Sequence, residues 1–227
     1  MARPLLGAKY SLSFLDFFRA DLFREVFMFF EKFSKTLSTL WQKFLFCPLL
    51  ERAPKSKRIA YLGLATAFSV IANTFFEIKL GAVQYSFTIA VCALLGVLMG
   101  AGYGFVACFV GDAIGFFLHP FGAYLPWVGL SNGMIAVLAG LLIIEKKERK
   151  VGSRYAMIAF FCLLSFAICT VGITNTAFFF LYAKGVSYGA YFVARFFVQG
   201  QIWSCILNYA LIFAFPIFLK KLPFLSK

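Results

Sequence analysis

The segment GDAIGFFLHPFGAYLPWVGLSNG, residues 111–133, decides the fold. It carries an acid, the only histidine of the chain, two prolines and five glycines, with long apolar runs on either side. Glycine and proline punctuate regular structure. Windows with one charge or none run at 59–76, 113–144 and 155–183. A helix of about 20 apolar residues crosses a bilayer core of roughly 30 Å. The segment therefore reads as an aqueous turn between two membrane spans, and the chain as a polytopic helical membrane protein. Apolar runs without alternation argue against a β-barrel, whose strands alternate inside and outside.

Composition agrees. The chain has 227 residues, of which 62% are hydrophobic and 14% charged, more apolar than one soluble core requires. The net charge of +13 collects in short clusters beside the spans, where topology is decided. It is not the stripe of a nucleic-acid binder. The cysteines Cys47, Cys92, Cys108, Cys162, Cys169 and Cys205 form no C-x-x-C pair. All but Cys47 lie in predicted spans, where a thiol acts as a small apolar group. Neither a disulfide framework nor a metal site is expected. No cleavable signal peptide is evident at the N-terminus.

Two domains separate by composition. Residues 1–58 mix apolar and charged positions, and residues 59–227 hold the spans, with ERAPKSKR at 51–58 as the linker. In the first part Leu15, Phe18, Leu22, Val26, Phe29, Phe30, Phe33, Leu37, Leu40, Trp41 and Phe44 recur at helical spacing, with charges off the stripe. An amphipathic helical extension results, lying in the membrane interface or docking on a partner. In the second part six spans are expected, near 59–78, 84–100, 102–118, 125–144, 155–180 and 190–219. Three basic clusters then share one side: Lys55, Lys57 and Arg58; Lys146, Lys147, Arg149, Lys150 and Arg154; Lys220, Lys221 and Lys227. The opposite loops carry only Lys79 and Lys184. The positive-inside rule makes the cluster side cytoplasmic, so both termini are expected inside the cell and the 118–125 loop outside. The fold class expected is all-α, an integral membrane bundle of six transmembrane helices with an N-terminal amphipathic extension.

From Arg58 to about residue 222 the order of features resembles the substrate-binding S component of energy-coupling factor (ECF) vitamin transporters. GLATA, residues 63–67, matches the small-residue pattern with which that family docks on its coupling subunit. YSFTIAVCALLGVLMGAGYGFVACFVGDAIGFFLHPFGAY is similar to its second and third spans, with a glycine turn, a terminal acid and a Pro-Gly loop. GITNTAFFFLYAKGVSYGAYFVARFFVQGQIWSCILNYALIF resembles the last two spans of the folate branch, with Asn175 and Thr176 ending one span and Arg195 opening the next. The run LPWVGLSNG departs from that branch at Trp127, Val128 and Asn132. The resemblance implies a non-enzymatic subunit that captures a vitamin, folate first, from outside. Uptake would need a membrane coupling subunit and two ATPases. The chain has no G-x-x-x-x-G-K-[ST] run, so ATP use would belong to those partners, and no cofactor is expected on this chain.

Physical reading gives the site candidates. A guanidinium inside a span is costly and normally faces protein or water. Arg195 is thus a candidate to clamp a carboxylate or stack on a flat ring, against snorkelling or pairing with Asp112. Gln199 lies one α-turn from Arg195 and offers an amide to a heteroaromatic edge; Asn208 lies deeper. Asn175 and Thr176 serve either ligand or helix packing. Asp112 needs a partner or water. Gln84 opens the second span beside a loop that is a candidate lid. Tyr124 and Trp127 flank Pro126, as stacking faces or as interfacial belt. His119 reads as a loop histidine. Gly63, Ala65, Ala67 and Ser69 are the docking candidates. Two other classes stay open: an integral membrane enzyme, which would need clustered catalytic groups, and a stand-alone carrier, which would show repeats or several intramembrane charges.

Overall fold

The computed structural model describes residue 50 and residues 53–75, 77–80, 83–120, 124–143, 151–183 and 185–220. The expected amphipathic extension, residues 1–49, lies outside the described residues. Helix α1, Lys55–Phe75, starts directly after Pro54 and closes its first turn with Arg58 N–H on the Pro54 carbonyl, 3.1 Å. The expected linker thus runs straight into helix. A hairpin follows, β1 Glu77–Leu80 and β2 Val83–Ser86, antiparallel with Ile78 opposite Tyr85. Then come α2, Thr88–Met99; α3, Ala101–Leu118; and α4, Pro126–Leu142, with proline in its first turn. Proline suits that position because its missing N–H would have no intrahelical partner anyway. Helix α5, Val151–Tyr182, is continuous but π-wound over Ser165–Asn175. Helix α6, Tyr188–Val198, and α7, Gln201–Lys220, meet at a 61° bend.

The architecture is the expected all-helical membrane bundle, with three differences in detail. Residues 84–86 were expected to open the second span and instead form a strand. Val83 and Tyr85 alternate with Gln84 and Ser86, the period of a half-buried strand. The expected span 190–219 is broken at Gly200, whose φ of 72° is a conformation that favours glycine. The count also differs, because seven helices are described. Three of them, Lys55–Phe75, Ala101–Leu118 and Val151–Tyr182, are long and apolar enough to cross a membrane, and the bent pair makes a fourth span if taken as one. The 12 residues of α2 rise only about 18 Å, so a count of six rests on including α2 and α4 as well.

Register pairs fix the direction of each helix. Ser69 and Asn73 of α1 lie against Gly111 and Gly115 of α3, so these two are parallel. Asp112 meets Asn132, and Ala101 meets Gly140, so α3 and α4 are antiparallel. Ser86 and Ala90 bond Ser204 and Asn208, which sets α2 parallel to α7. Tyr155 stacks on Phe213 and Ser165 bonds Tyr209, so α5 runs opposite to α7. The hairpin, the end of α3 with the start of α4, and the end of α5 with the start of α6 therefore share one end of the bundle.

The other end is closed by small residues. Gly100, with φ 87°, turns α2 straight into α3. A methyl group at Gly96 would lie 2.0 Å from the Ala136 carbonyl oxygen, and one at Gly140 would lie 2.8 Å from the Ala101 nitrogen. Without a hydrophobic drive between helices in lipid, such close backbone approach supplies the packing. Ala93, Ala107, Ala136 and Ala139 are fully buried there.

Candidate functional site

Polar side chains gather at the hairpin end in two clusters. The first joins α3 to α4. Asn132 Nδ2 donates to Asp112 Oδ1 at 2.8 Å. A methyl group at Gly129 would sit 3.2 Å from Asp112 Oδ2 and 3.4 Å from the Tyr124 hydroxyl, so the bare glycine leaves a gap that both groups border. The Tyr124 hydroxyl is buried without a hydrogen-bond partner among the described residues. Its ring packs on Phe116 and Phe117, at 5.2 and 5.6 Å between centroids. Burial, and then the Asp112 charge, raise the Tyr124 phenol above its ordinary pKa, which keeps it a neutral donor.

The second cluster joins α5 to α6. It depends on the π-wound stretch, whose wider turn frees carbonyls from the usual ladder. Ser131 of α4 donates to the Cys169 carbonyl at 2.9 Å, and Thr176 Oγ1 donates to the Val171 carbonyl at 3.2 Å. Tyr188 Oη reaches the same carbonyl at 3.4 Å. Asn175, 0% exposed, donates from Nδ2 to Tyr188 Oη at 3.3 Å, while its Oδ1 is buried with no partner among the described residues. Two turns along α6, the Arg195 guanidinium lies over the Phe178 ring, 4.0 Å from its centroid. It donates to Tyr191 Oη at 3.0 Å and to Gln201 Oε1 at 2.9 Å. Phe179 packs edge-on to Tyr188 at 5.1 Å. An arginine held on an aromatic face can clamp an anion or flank a flat ring.

The structure sorts the sequence candidates. Asn175, Thr176 and Arg195 come together on α5 and α6, and Asp112 and Tyr124 come together on α3 and the loop before α4. Among the described residues Arg195 bonds Tyr191 and Gln201 and not Asp112, which accepts from Asn132. Gln199 is exposed at the end of the π-wound stretch of α6, just before Gly200. Trp127 is 57% exposed, as an interfacial aromatic is. Gln84 has its backbone on β2, and its side chain lies outside the described part. His119 is exposed at the end of α3. Asn208 is structural: its Oδ1 accepts from Ala90 N–H at 2.8 Å, and its Nδ2 donates to the Ser86 and Ser204 carbonyls. The docking set divides. Ala65 and Ser69 are 5% and 1% exposed and pack inward. Gly63 and Ala67, one turn apart, face outward into an open apolar groove bordered by Ile59, Val70, Val106 and Val110.

Tyr191, Phe178, Tyr188 and Gln201 escaped the sequence reading. Tyr191 and Arg195 are four apart, a spacing that signals a helical pair. Gln201 gave no such signal, because it reaches Arg195 only across the break at Gly200. Among the described residues no group of three or more His, Cys, Asp or Glu could hold a metal. Five described cysteines are buried and free.

A family model described as ECF-type riboflavin transporter, S component, matches residues 54–223. No curated protein matches the sequence significantly. Among solved structures, the crystal structure of FolT bound with folic acid aligns with a TM-score of 0.55 at 22% identity, over 70% of this chain and 93% of that chain. At that identity the likeness speaks for the fold. With three quarters of its length inside the family model, the chain belongs to the S components of the ECF-type riboflavin transporter family: it is a multi-pass, substrate-binding transporter subunit and not an enzyme.

Proposed function

We propose that this subunit captures folate from outside the cell and delivers it through an ECF membrane coupling subunit powered by two ATPases. One observation carries the choice of solute: Arg195 is laid on Phe178 and tethered by Tyr191 and Gln201 at the hairpin end of the bundle. Folate is flat, aromatic and anionic, and a guanidinium on an aromatic face suits both of its ends. Asn175, Thr176, Asp112 and Tyr124 are the further polar contacts, with Gln84, Gln199 and Trp127 on the rim. The folic acid in the FolT structure supports the reading. Riboflavin is the rival, favoured by the description of the family. It is also flat but lacks a carboxylate. Both termini are cytoplasmic in this reading, from the basic clusters. The coupling subunit docks on the outward face of α1 at Gly63 and Ala67, where small side chains admit a close helix.

The test is direct. Purified full-length protein is titrated with folate and with riboflavin, and co-purifying vitamins are identified by mass spectrometry. Folate should bind wild type, and Arg195→Ala should weaken it by on the order of tenfold or more. Riboflavin binding without folate binding would overturn the choice of solute, and unchanged folate affinity in Arg195→Ala would remove that residue from the site.

A further inference from the structure

The break between α6 and α7 does something a straight helix could not. Ala194–Val198 is π-wound, and the winding ends with Gln199 N–H on the Ala194 carbonyl at 3.0 Å. Gly200 then takes its φ of 72°, and α7 leaves at 61° to α6. At 3.6 residues per turn, positions six apart on an unbroken helix are separated by about 120° around the axis and cannot touch. Here Arg195 and Gln201, six apart, are hydrogen-bonded, Nε to Oε1 at 2.9 Å. The bond spans the bend.

That bond completes a three-point hold on the guanidinium. Gln201 takes Nε, Tyr191 takes Nη1 at 3.0 Å, and Phe178 supports the face with its centroid at 4.0 Å. No bond from Nη2 to any described residue accompanies them. The guanidinium is a planar fork of five donors, and its paired outer edge matches the two oxygens of a carboxylate. An arginine near a membrane surface otherwise swings toward headgroups on its flexible stem. Fixing Nε prevents that swing and leaves the Nη1–Nη2 edge as the one presented to a ligand.

The geometry points to Gln201 as a positioning and specificity-determining residue: held beside Arg195 by the Gly200 break, it aims the Nη1–Nη2 edge of the guanidinium, where Tyr191 occupies one Nη1 hydrogen, at a carboxylate of the ligand. This rests on the reading of Arg195 as a ligand-binding residue and adds a specific consequence. Gln201 should set the preference for an anionic tail over a neutral one without touching the ligand.

Folate and its dimethyl ester, which share the ring system and differ in charge, separate the possibilities. Affinities for both are measured by titration calorimetry on the full-length purified chain, as wild type, Arg195→Ala, Gln201→Met and Gln201→Ala. Met keeps the length of the side chain and removes the acceptor; Ala guards against an effect peculiar to the thioether. Wild type should prefer the acid by on the order of tenfold or more, the range of hydrogen bonds to charged groups. Both Gln201 variants should cut that preference to within about threefold while the ester affinity stays as in wild type. Equal loss for acid and ester would mean that Gln201 only supports the fold, and would overturn the inference. So would a preserved preference in Gln201→Met and Gln201→Ala when Arg195→Ala abolishes it; the assignment of Arg195 would then survive alone. A preference untouched by Arg195→Ala, or absent in wild type, would overturn both.

Discussion

A pair of glycine substitutions tests the packing directly. At Gly96, on the α2–α4 crossing, an added methyl group would sit 2.0 Å from the Ala136 carbonyl oxygen and 2.8 Å from the Ala136 Cα. An ordinary contact begins at 3.4 Å, so the helices must part by more than an ångström. The obstacle is backbone, and no rotamer change relieves it. Parting α2 from α4 also disturbs two neighbouring close approaches, because positions added at Gly104 and Gly140 lie 2.9 Å from Gly96 atoms. Overpacking typically costs about 1–3 kcal/mol, and a backbone obstacle belongs at the top of that range. About 3 kcal/mol is roughly a hundredfold in the folding equilibrium. At Gly63, also helical, an added methyl meets nothing within 4 Å, so alanine should gain up to about 1 kcal/mol of helix propensity. The assay is the half-life of monodisperse protein in detergent at a series of temperatures, since membrane proteins often unfold irreversibly and their stability is then a rate. Gly96→Ala should inactivate far faster than wild type, and Gly63→Ala no faster. If Gly96→Ala matched wild type, the argument that α2 and α4 meet backbone to backbone would be wrong. Gly63→Ala carries a second readout, because this stable variant should assemble less well with a coupling subunit that docks at that face.

Three further outcomes follow from the hydrogen bonds. Asn208→Leu leaves the Ala90 N–H in the first turn of α2 without its acceptor, at a cost of about 1–3 kcal/mol. Hydrogen exchange should rise at residues 86–90 while the ligand affinity of the folded protein holds; lost affinity at unchanged exchange would return Asn208 to the site. Asn132→Leu removes the amide that donates to Asp112 and should destabilise the chain, whereas Asp112→Asn combined with Asn132→Leu should recover part of the loss. Simple additivity in that cycle would deny the pair. Gly129→Ala puts a methyl 3.2 Å from Asp112 Oδ2 and 3.4 Å from Tyr124 Oη, and should weaken ligand binding more than it lowers thermal stability; the reverse order would assign that gap to packing.

The sequence made the bundle legible and left its irregularities hidden, for physical reasons. Apolar run length announces a span, so α1, α3 and α5 were placed within a few residues. Hydropathy does not register winding. The π stretch at Ser165–Asn175 is about as apolar as the helix before it, the break at Gly200 is marked only by the glutamines on either side of it, and both determine where polar side chains point. Arg195 stood out because a charged group inside a span is costly, and Asn175 and Thr176 because they match the folate-branch pattern. Gln201 did not stand out because its bond to Arg195 depends on the bend, whereas Gln199 did because it lies four residues on from Arg195. Small residues were recognised in α1, but composition cannot say which face they occupy. Register against Gly111 and Gly115 turns Ser69 and Asn73 inward and leaves Gly63 and Ala67 outside.

The distribution of polar and small residues along the bundle bears on mechanism. Asp112, Asn132, Tyr124, Asn175, Thr176 and Arg195 occupy the hairpin end, while Gly96, Gly104, Ala136 and Gly140 close the Gly100 end. A crossing that cannot admit one methyl group without moving backbone cannot admit a vitamin. Threading a solute between α2, α3 and α4 would require them to separate, with loss of the contacts that hold the bundle together in lipid. The described crossing of α2, α3 and α4 thus offers a vitamin no passage, which fits the proposed dependence on a coupling subunit and ATPases. In vesicles reconstituted with this chain alone, labelled folate should bind in proportion to protein and reach no higher level with time. In vesicles that also hold the coupling subunit and the two ATPases with internal ATP, it should accumulate. Time-dependent accumulation with the chain alone would refute the closed-end argument and return the stand-alone carrier as the better account.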